Sequence, residues 1–399
     1  MAACGERATE RDRRERVAGI SKRCEQESSL ARASGAASRR VAVHRITVQS
    51  SPPTEVQRCP GQLRTLRRMR HTRAFAGIAL LVFACSLPTF ACAGDQGSGE
   101  ARSGAPPPVA TPAGFPKPGR KSIAELREGL RPGPVLAPSV SLLEPGRNRF
   151  AFGLFDAARK QIADTPVAVY VARKGGGRVH GPFPARWESL ETPPAYQSEI
   201  TSSDPDAARS LYVADVAFPK TGHYEVLGVV RLDKRLMAAE PVTPTVPVIA
   251  RSAVPEVGAP APRISTPTKA SAGAIEGIET RIPPDSMHDV DYADAIGKRP
   301  ILLLFSTPAL CQSRVCAPVN DIAEQVKAAH KGDTAFIHME IYNDNRLEKG
   351  FRPQVARFKL PTEPWAFAID RTGKVAARLE GAFTARELEG ALKVAARPG

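Results

Sequence analysis

The chain has 399 residues, with 37 prolines and 31 glycines spread unevenly, so two or three domains joined by tethers are expected. The formal charge is +15, yet residues 1–73 carry 17 Lys/Arg against 7 Asp/Glu, which is ten of those fifteen charges. That basic segment has neither apolar periodicity nor aromatic residues interleaved with its cations, and nucleic acid is excluded as the expected partner.

Residues 1–68 match no targeting or folding unit and are read as a basic disordered leader, or as sequence upstream of a true start at Met69. Residues 69–92 have the order of an export signal or membrane anchor. Arg70, His71 and Arg73 form a positive head, residues 74–84 (AFAGIALLVFA) an apolar stretch, and small residues with cysteines follow. The apolar stretch is short for a spanning helix and is broken at Pro88. Read from Met1 it becomes an uncleaved anchor; in both readings the remainder is expected at the extracytoplasmic face of the cell membrane. Cys85 and Cys92 each follow a small residue, and this stretch resembles the lipobox of bacterial lipoproteins. Val82 favours Cys85, whereas the polar, Gly-rich run from Ala93 favours Cys92, which is taken as the lipidation site. Ordinary signal-peptidase cleavage near Ala91 or Ala93 is the alternative.

Residues 93–136 are rich in Pro, Gly, Ser and Ala and are expected to form a disordered tether, with a short helical patch from Ile123. Over 137–250 the pattern changes to short alternating runs. Phe150, Phe152 and Leu154 form one; Val167, Val169 and Val171 another; Leu211, Val213 and Val216, then Tyr224, Val226 and Val229, two more. Turn formers at 156–160, 175–177 and 220–222 separate them, which predicts an all-β sandwich of immunoglobulin-like type. His180 and His223 stand alone there and receive no role. Residues 251–283 return to a Pro/Ala-rich composition and are read as a second linker.

Residues 284–399 form the last expected domain. Ile301-Leu302-Leu303-Leu304-Phe305 is a continuous apolar run between prolines, as a strand buried on both faces requires. Cys311-Gln-Ser-Arg-Val-Cys316 follows, then Ala317 and Pro318 open a helix expected to reach Ala329; proline is tolerated in a first helical turn. A second strand over 334–342, a helix over 352–358, a hairpin across Arg371-Thr372-Gly373 and a final helix with the capping box Thr384/Glu387 complete the order. Beyond residue 92 the only cysteines are Cys311 and Cys316. An isolated close pair in an oxidising compartment forms a disulfide or performs dithiol chemistry.

This order, with a cysteine pair directly after the first buried strand, resembles the thioredoxin-like proteins of the bacterial envelope, of the membrane-anchored TlpA type, over roughly 284–397. Residues 364–373 (PWAFAIDRTG) are similar to that family's run of proline, hydrophobic strand, aspartate and glycine turn. The resemblance implies a C-terminal α/β thioredoxin-like fold and thiol–disulfide exchange on envelope proteins through Cys311 and Cys316. It also implies a cis-proline at Pro364, after Glu363, facing the pair, and no cofactor.

Departures from the family open alternatives. Four residues separate the cysteines where two are usual, Leu310 replaces the usual Trp, and Leu304 occupies a position that can carry a buried carboxylate. A non-catalytic scaffold with a structural disulfide is therefore a second reading. Chain order makes Cys311 the nucleophile, whereas a helix starting at Cys316, with Arg314 beside it, points to Cys316 as the acidified thiol; Cys311 is chosen. Cys311, Cys316 and His338, with Met339, are also similar to the ligand set of Sco-type copper chaperones of oxidase assembly. The mid-strand place of His338, on the same face as Glu340, speaks instead for hydrogen-bonded structure, and no metal ligand is assigned.

Overall fold

In a computed structural model that describes residues 109–397, twelve strands dominate the regular structure. The expected leader, export segment and Cys92 lie outside the described residues. The alternating runs form strands β1 (Arg131–Pro138), β2 (Gly146–Phe155), β3 (Val167–Arg173), β4 (His180–Ser189), β5 (Ser210–Phe218), β6 (Gly222–Leu232), β7 (Arg235–Pro241) and β8 (Thr245–Val248). Their pairing is not that of a sandwich. The order runs β3-β4-β5-β2-β1-β7-β6, and β6 pairs back onto β3, so seven strands close into a barrel with β8 attached to β6. Only β1 and β7 run parallel, which makes the barrel mixed.

β1 decides the closure. Its sequence, RPGPVLAP, has the composition of a tether, and its prolines cannot donate to a ladder. It nevertheless bridges β2 and β7, with a register shift between Pro132 and Val135 that absorbs the missing donors. Phe150, Phe152, Leu154, Val167, Val169, Tyr212, Ala214 and Val226 fill the lumen at the period of two that a pleated strand imposes. The outer faces are covered as well. Tyr170, Leu227 and Val229 lie beneath Phe115 and helix α1 (Ile123–Glu128), and Ala151, Leu211 and Val213 pack on the second layer of the molecule.

That second layer is a four-stranded sheet of order β10-β9-β11-β12, from β9 (Ile301–Phe305), β10 (Ala335–Met339), β11 (Trp365–Ile369) and β12 (Val375–Glu380). β10 runs parallel to β9, and β11 is antiparallel to both β9 and β12. Helices α2 (Cys316–Ala329) and α4 (Ala385–Ala395) cover Leu302, Leu304, Phe336 and Ala366 on one face. Helix α3 (Pro353–Phe358), Tyr292, Val254 and Ala261 cover the other. The Pro/Ala-rich stretch read as a linker is part of this layer: Ala261 N donates to Gly373 O at 2.9 Å and Val375 N to Ala259 O at 2.9 Å.

The expected fold class, an α/β thioredoxin-like fold preceded by an immunoglobulin-like sandwich and disordered Pro-rich linkers, is therefore corrected. The regular structure of the described chain is mostly strand: a closed mixed barrel joined to a four-stranded sheet, with only α2 and α4 longer than six residues. The physical reason is that alternation specifies a strand and its inward face, but not which strand it pairs with. Closure depends on a proline-rich strand that has no such alternation.

Polar side chains lock the two layers together. Arg149 of β2 places Nε 2.7 Å from Glu387 Oε1 and donates from Nη2 to Ala382 O at 2.6 Å. Thr384 Oγ1 donates to Glu188 Oε2 at 2.6 Å, and Arg386 pairs with the same carboxylate. Ser141 N donates to Glu380 Oε1 at 2.8 Å.

Candidate functional site

After β9 the chain turns through residues 306–315 before α2 begins at Cys316. Cys311 and Cys316 are joined by a disulfide, with their Cα atoms 6.0 Å apart. The two sulfurs differ in access: Cys311 is half-buried, whereas Cys316 is 0% exposed. Cys316 is the first residue of α2, and Val315 before it supplies no side-chain cap. Its sulfur therefore sits beside unpaired N–H groups, where the positive end of the helix favours a thiolate. Arg314, expected to add charge there, instead pairs with Asp204 at 2.8 Å and Asp206 at 2.7 Å. Ala208 N also donates to Arg314 O at 3.2 Å, so these contacts pin the cysteine loop to the barrel.

Pro364 begins the turn into β11, and the Glu363–Pro364 peptide is cis. Glu363 brings a carboxylate oxygen within 4.8 Å of both sulfurs, and its Oε2 is buried without a hydrogen-bond partner. Burial, helped by the charge of Glu340, pushes the Glu363 carboxyl up to about 7. Glu340 is tied down by Thr280, whose N and Oγ1 donate to Glu340 Oε1 at 2.8 and 2.7 Å. Ala309 N donates to Thr280 Oγ1 at 3.2 Å, which links this network to the residues just before Cys311. A cleft of about 470 Å³ opens beside the loop, walled by Ser313 and Val315 on one side and Gly153, Phe155 and Gln161 of the barrel on the other.

His338 and Glu340 leave β10 on the face toward α2, whereas Met339 points into the opposite core. His338 does not turn to the cysteines. Its Nδ1 lies 2.7 Å from Asp285 and 3.4 Å from Glu279, and its Nε2 lies 2.9 Å from Ser306 Oγ. Asn320 of α2 places Nδ2 3.3 Å from the same ring. His288 adds a second imidazole, with Nε2 3.1 Å from Glu279 Oε2. Burial would discharge His338, but the carboxylates of Asp285 and Glu279 outweigh it and raise its pKa. The copper set of Cys311, Cys316, His338 and Met339 is thus not assembled: the thiols converge with Glu363, and the imidazole converges with other carboxylates.

Sequence reasoning named Cys311, Cys316 and Pro364 and noted Glu363 and His338, all of which lie in this layer; Cys92 lies outside the described residues. It missed Glu279, Asp285, His288 and Asn320. The first lies in a stretch dismissed as linker, and a signal was present. Glu279, Arg281, Asp285 and His288 place four ionisable groups within ten residues, which a solvated Pro/Ala tether does not need. Among the described residues, no helix is long and apolar enough to cross a membrane.

No protein-family model matches the chain, and no curated protein matches it. Among solved structures, the chain is similar to a thiol:disulfide interchange protein of the thioredoxin family from Chlorobium tepidum TLS. The identity is 16%, the match covers 37% of this chain and 100% of that chain, and the TM-score is 0.24. At that level the likeness carries no argument of its own, and the chemistry must be argued from the site's residues.

Proposed function

We propose that this protein performs thiol–disulfide exchange through Cys311 and Cys316. The observation that carries the reading is the asymmetry of the pair: one sulfur is reachable, and the other is buried at a helix start, with the Glu363 carboxyl within 4.8 Å of both. In the reducing direction the Cys311 thiol gives its proton to Glu363, and its sulfur attacks a substrate disulfide. A mixed disulfide forms and one substrate thiolate leaves. Cys316 then attacks the Cys311 sulfur, its proton passing to the departing sulfur so that the second substrate thiol leaves, Glu363 returns its proton to the first thiolate, and the protein is left as the disulfide. The substrate has gained two electrons that the dithiol has lost. The difference in access supports Cys311 as the attacking sulfur, since Cys316 is fully buried. Glu363 takes the place of the carboxylate that the apolar Leu304 cannot supply. The cleft beside Ser313 and Val315 supports docking of an extended segment.

The finer reading is an envelope protein held at the membrane by a lipid on Cys92 or by an uncleaved anchor, acting on thiols and disulfides of other envelope proteins. It rests on residues 69–92 and on the restriction of cysteines beyond them to a single pair, a usage suited to an oxidising compartment.

The test is the reduction potential of the pair in the full chain, followed by trapping. A potential of roughly −120 to −270 mV, with a Cys316→Ser variant that accumulates mixed disulfides through Cys311, is expected. A potential below about −300 mV with no trapped species would make the bond structural and the exchange reading wrong.

A further inference from the structure

The cluster of Glu279, Asp285, His288 and His338 is not used by the dithiol chemistry. We infer that these four side chains form a closed site for one divalent transition-metal ion of the zinc type, which clamps residues 279–288 to β10. Each offers one donor atom, and the four donors lie within 4.8 Å of one another. Three of the spacings are 3.1 Å (His288 Nε2 to Glu279 Oε2), 3.4 Å (His338 Nδ1 to Glu279 Oε2) and 2.7 Å (His338 Nδ1 to Asp285 Oδ2). A tetrahedral ion with bonds of about 2.05 Å requires donor separations of about 3.3 Å, which these values bracket.

Two further observations point to an ion. Asp285 Oδ2 is buried without a hydrogen-bond partner, in a residue only 2% exposed. Oδ2 lies 2.7 Å from His338 Nδ1, the ring nitrogen that would share the cation with it. Among the described residues, neither Glu279 nor Asp285 is paired with a lysine or arginine. The nearby Arg281 is engaged by Asp321, at 2.9 Å. Ligation requires each imidazole to be neutral, which leaves the two buried carboxylates with two negative charges in a dry site, and a divalent ion taking the place of the imidazole proton cancels them.

The surroundings are those of oriented ligands. Arg281 N donates to Glu279 Oε1 at 2.7 Å and Met287 N to Asp285 Oδ1 at 2.8 Å, which turns Asp285 Oδ2 to the centre, while Glu279 Oε2 there also accepts from Asp285 N at 3.2 Å. His338 Nε2 faces Ser306 Oγ and the Ser306 carbonyl at 3.2 Å, a contact that fixes the ring's tautomer so that Nδ1 is the ligand. Two imidazole and two carboxylate donors suit zinc better than the thiol-seeking copper(I) or the all-oxygen calcium and magnesium. With all four positions filled by protein, the ion is structural rather than catalytic. Its burial implies loading during folding.

The test uses the untagged full chain, unfolded with chelator and refolded with or without zinc chloride, then freed of loose metal. One zinc per chain by elemental analysis, and a higher Tm for the zinc-refolded sample, are expected. Cobalt(II) in place of zinc should give the visible bands of a tetrahedral ion without thiolate charge transfer. The Cys311→Ser/Cys316→Ser variant should bind as the wild type does, which keeps this inference separable from the exchange reading. Ser306→Ala, behind the ligand ring, should weaken zinc by about tenfold, and His288→Gln should abolish stoichiometric binding. If His288→Gln fails to fold, the wild-type stoichiometry and Tm still decide. A zinc-independent Tm with substoichiometric metal would overturn the inference and leave a cluster balanced by its own protonated imidazoles. Thiolate bands, or loss of metal in the cysteine variant, would overturn it too by placing the ion at the cysteines.

Discussion

The barrel and the four-stranded sheet bury similar kinds of strand but treat polar groups in opposite ways. The barrel lumen is packed with Phe, Val and Leu; its two tyrosine hydroxyls donate locally, Tyr212 to Ile162 O and Tyr224 to Lys220 O. The sheet, on the side facing α2, buries His338, Glu340, Asn320 and Asp321 together with Asp285 and Glu279. Burying such groups is costly unless each is paired, and here they are concentrated at one end of one sheet, linked to the cysteine loop through Thr280 and Ala309. The lumen of the barrel is a scaffold, and its outer face positions the cysteine loop through Asp204, Asp206 and Ala208.

That division can be broken at three points. The largest effect is expected from Phe152→Ala, which empties part of the lumen and should cost about 3–5 kcal/mol in denaturant unfolding. At a temperature where the variant remains folded, its exchange rate should match the wild type's. A large loss of rate in the folded variant would mean that the barrel is part of the active machinery.

Glu363→Gln is next, expected to slow exchange by about 100-fold at pH 8 while leaving the disulfide able to form. The wild-type rate should rise with pH through an inflection near 7, the value to which burial pushes this carboxyl, and the variant should lack it. Stability carries a matching sign. The folded state holds the Glu363 proton up to about 7, whereas the unfolded chain releases it near 4.5, so stability falls as pH rises through that window. The glutamine variant removes that fall and should melt higher than the wild type above pH 7. An unchanged pH–rate profile would remove Glu363 from the mechanism.

The smallest effect belongs to Arg314→Ala. Its ion pairs are about half exposed, and surface pairs of this kind contribute about 0–1 kcal/mol. The rate should change by less than about fivefold. A larger loss would show that anchoring the loop to the barrel, rather than the thiols' own surroundings, limits the chemistry.

Much of the local structure was legible. The apolar run at Ile301–Phe305, the helix opening at Cys316, the hairpin across Arg371-Thr372-Gly373 and the capping box at Thr384 arise from interactions within a few residues, and each formed as its sequence dictates. The candidate site was legible only as far as the cysteines, the proline and the lone histidine on β10. Glu363 was visible but could not be weighed, because its environment is made by burial and by Glu340, which follows β10 more than twenty residues earlier in the chain.

What the sequence by itself determined is several of the strands and helices, the faces they turn inward, and that one cysteine pair lies where a strand yields to a helix. Only the tertiary structure decided that the strands close into a barrel, since β1 carries a tether's composition and finds its partners some twenty and a hundred residues away. Only the tertiary structure, too, carried Glu279, Asp285 and His288 to His338, some fifty to sixty residues apart in sequence. Periodicity reports the face a side chain will turn from water. It does not say which distant residue will meet it there, because that contact is set by the packing of the whole core.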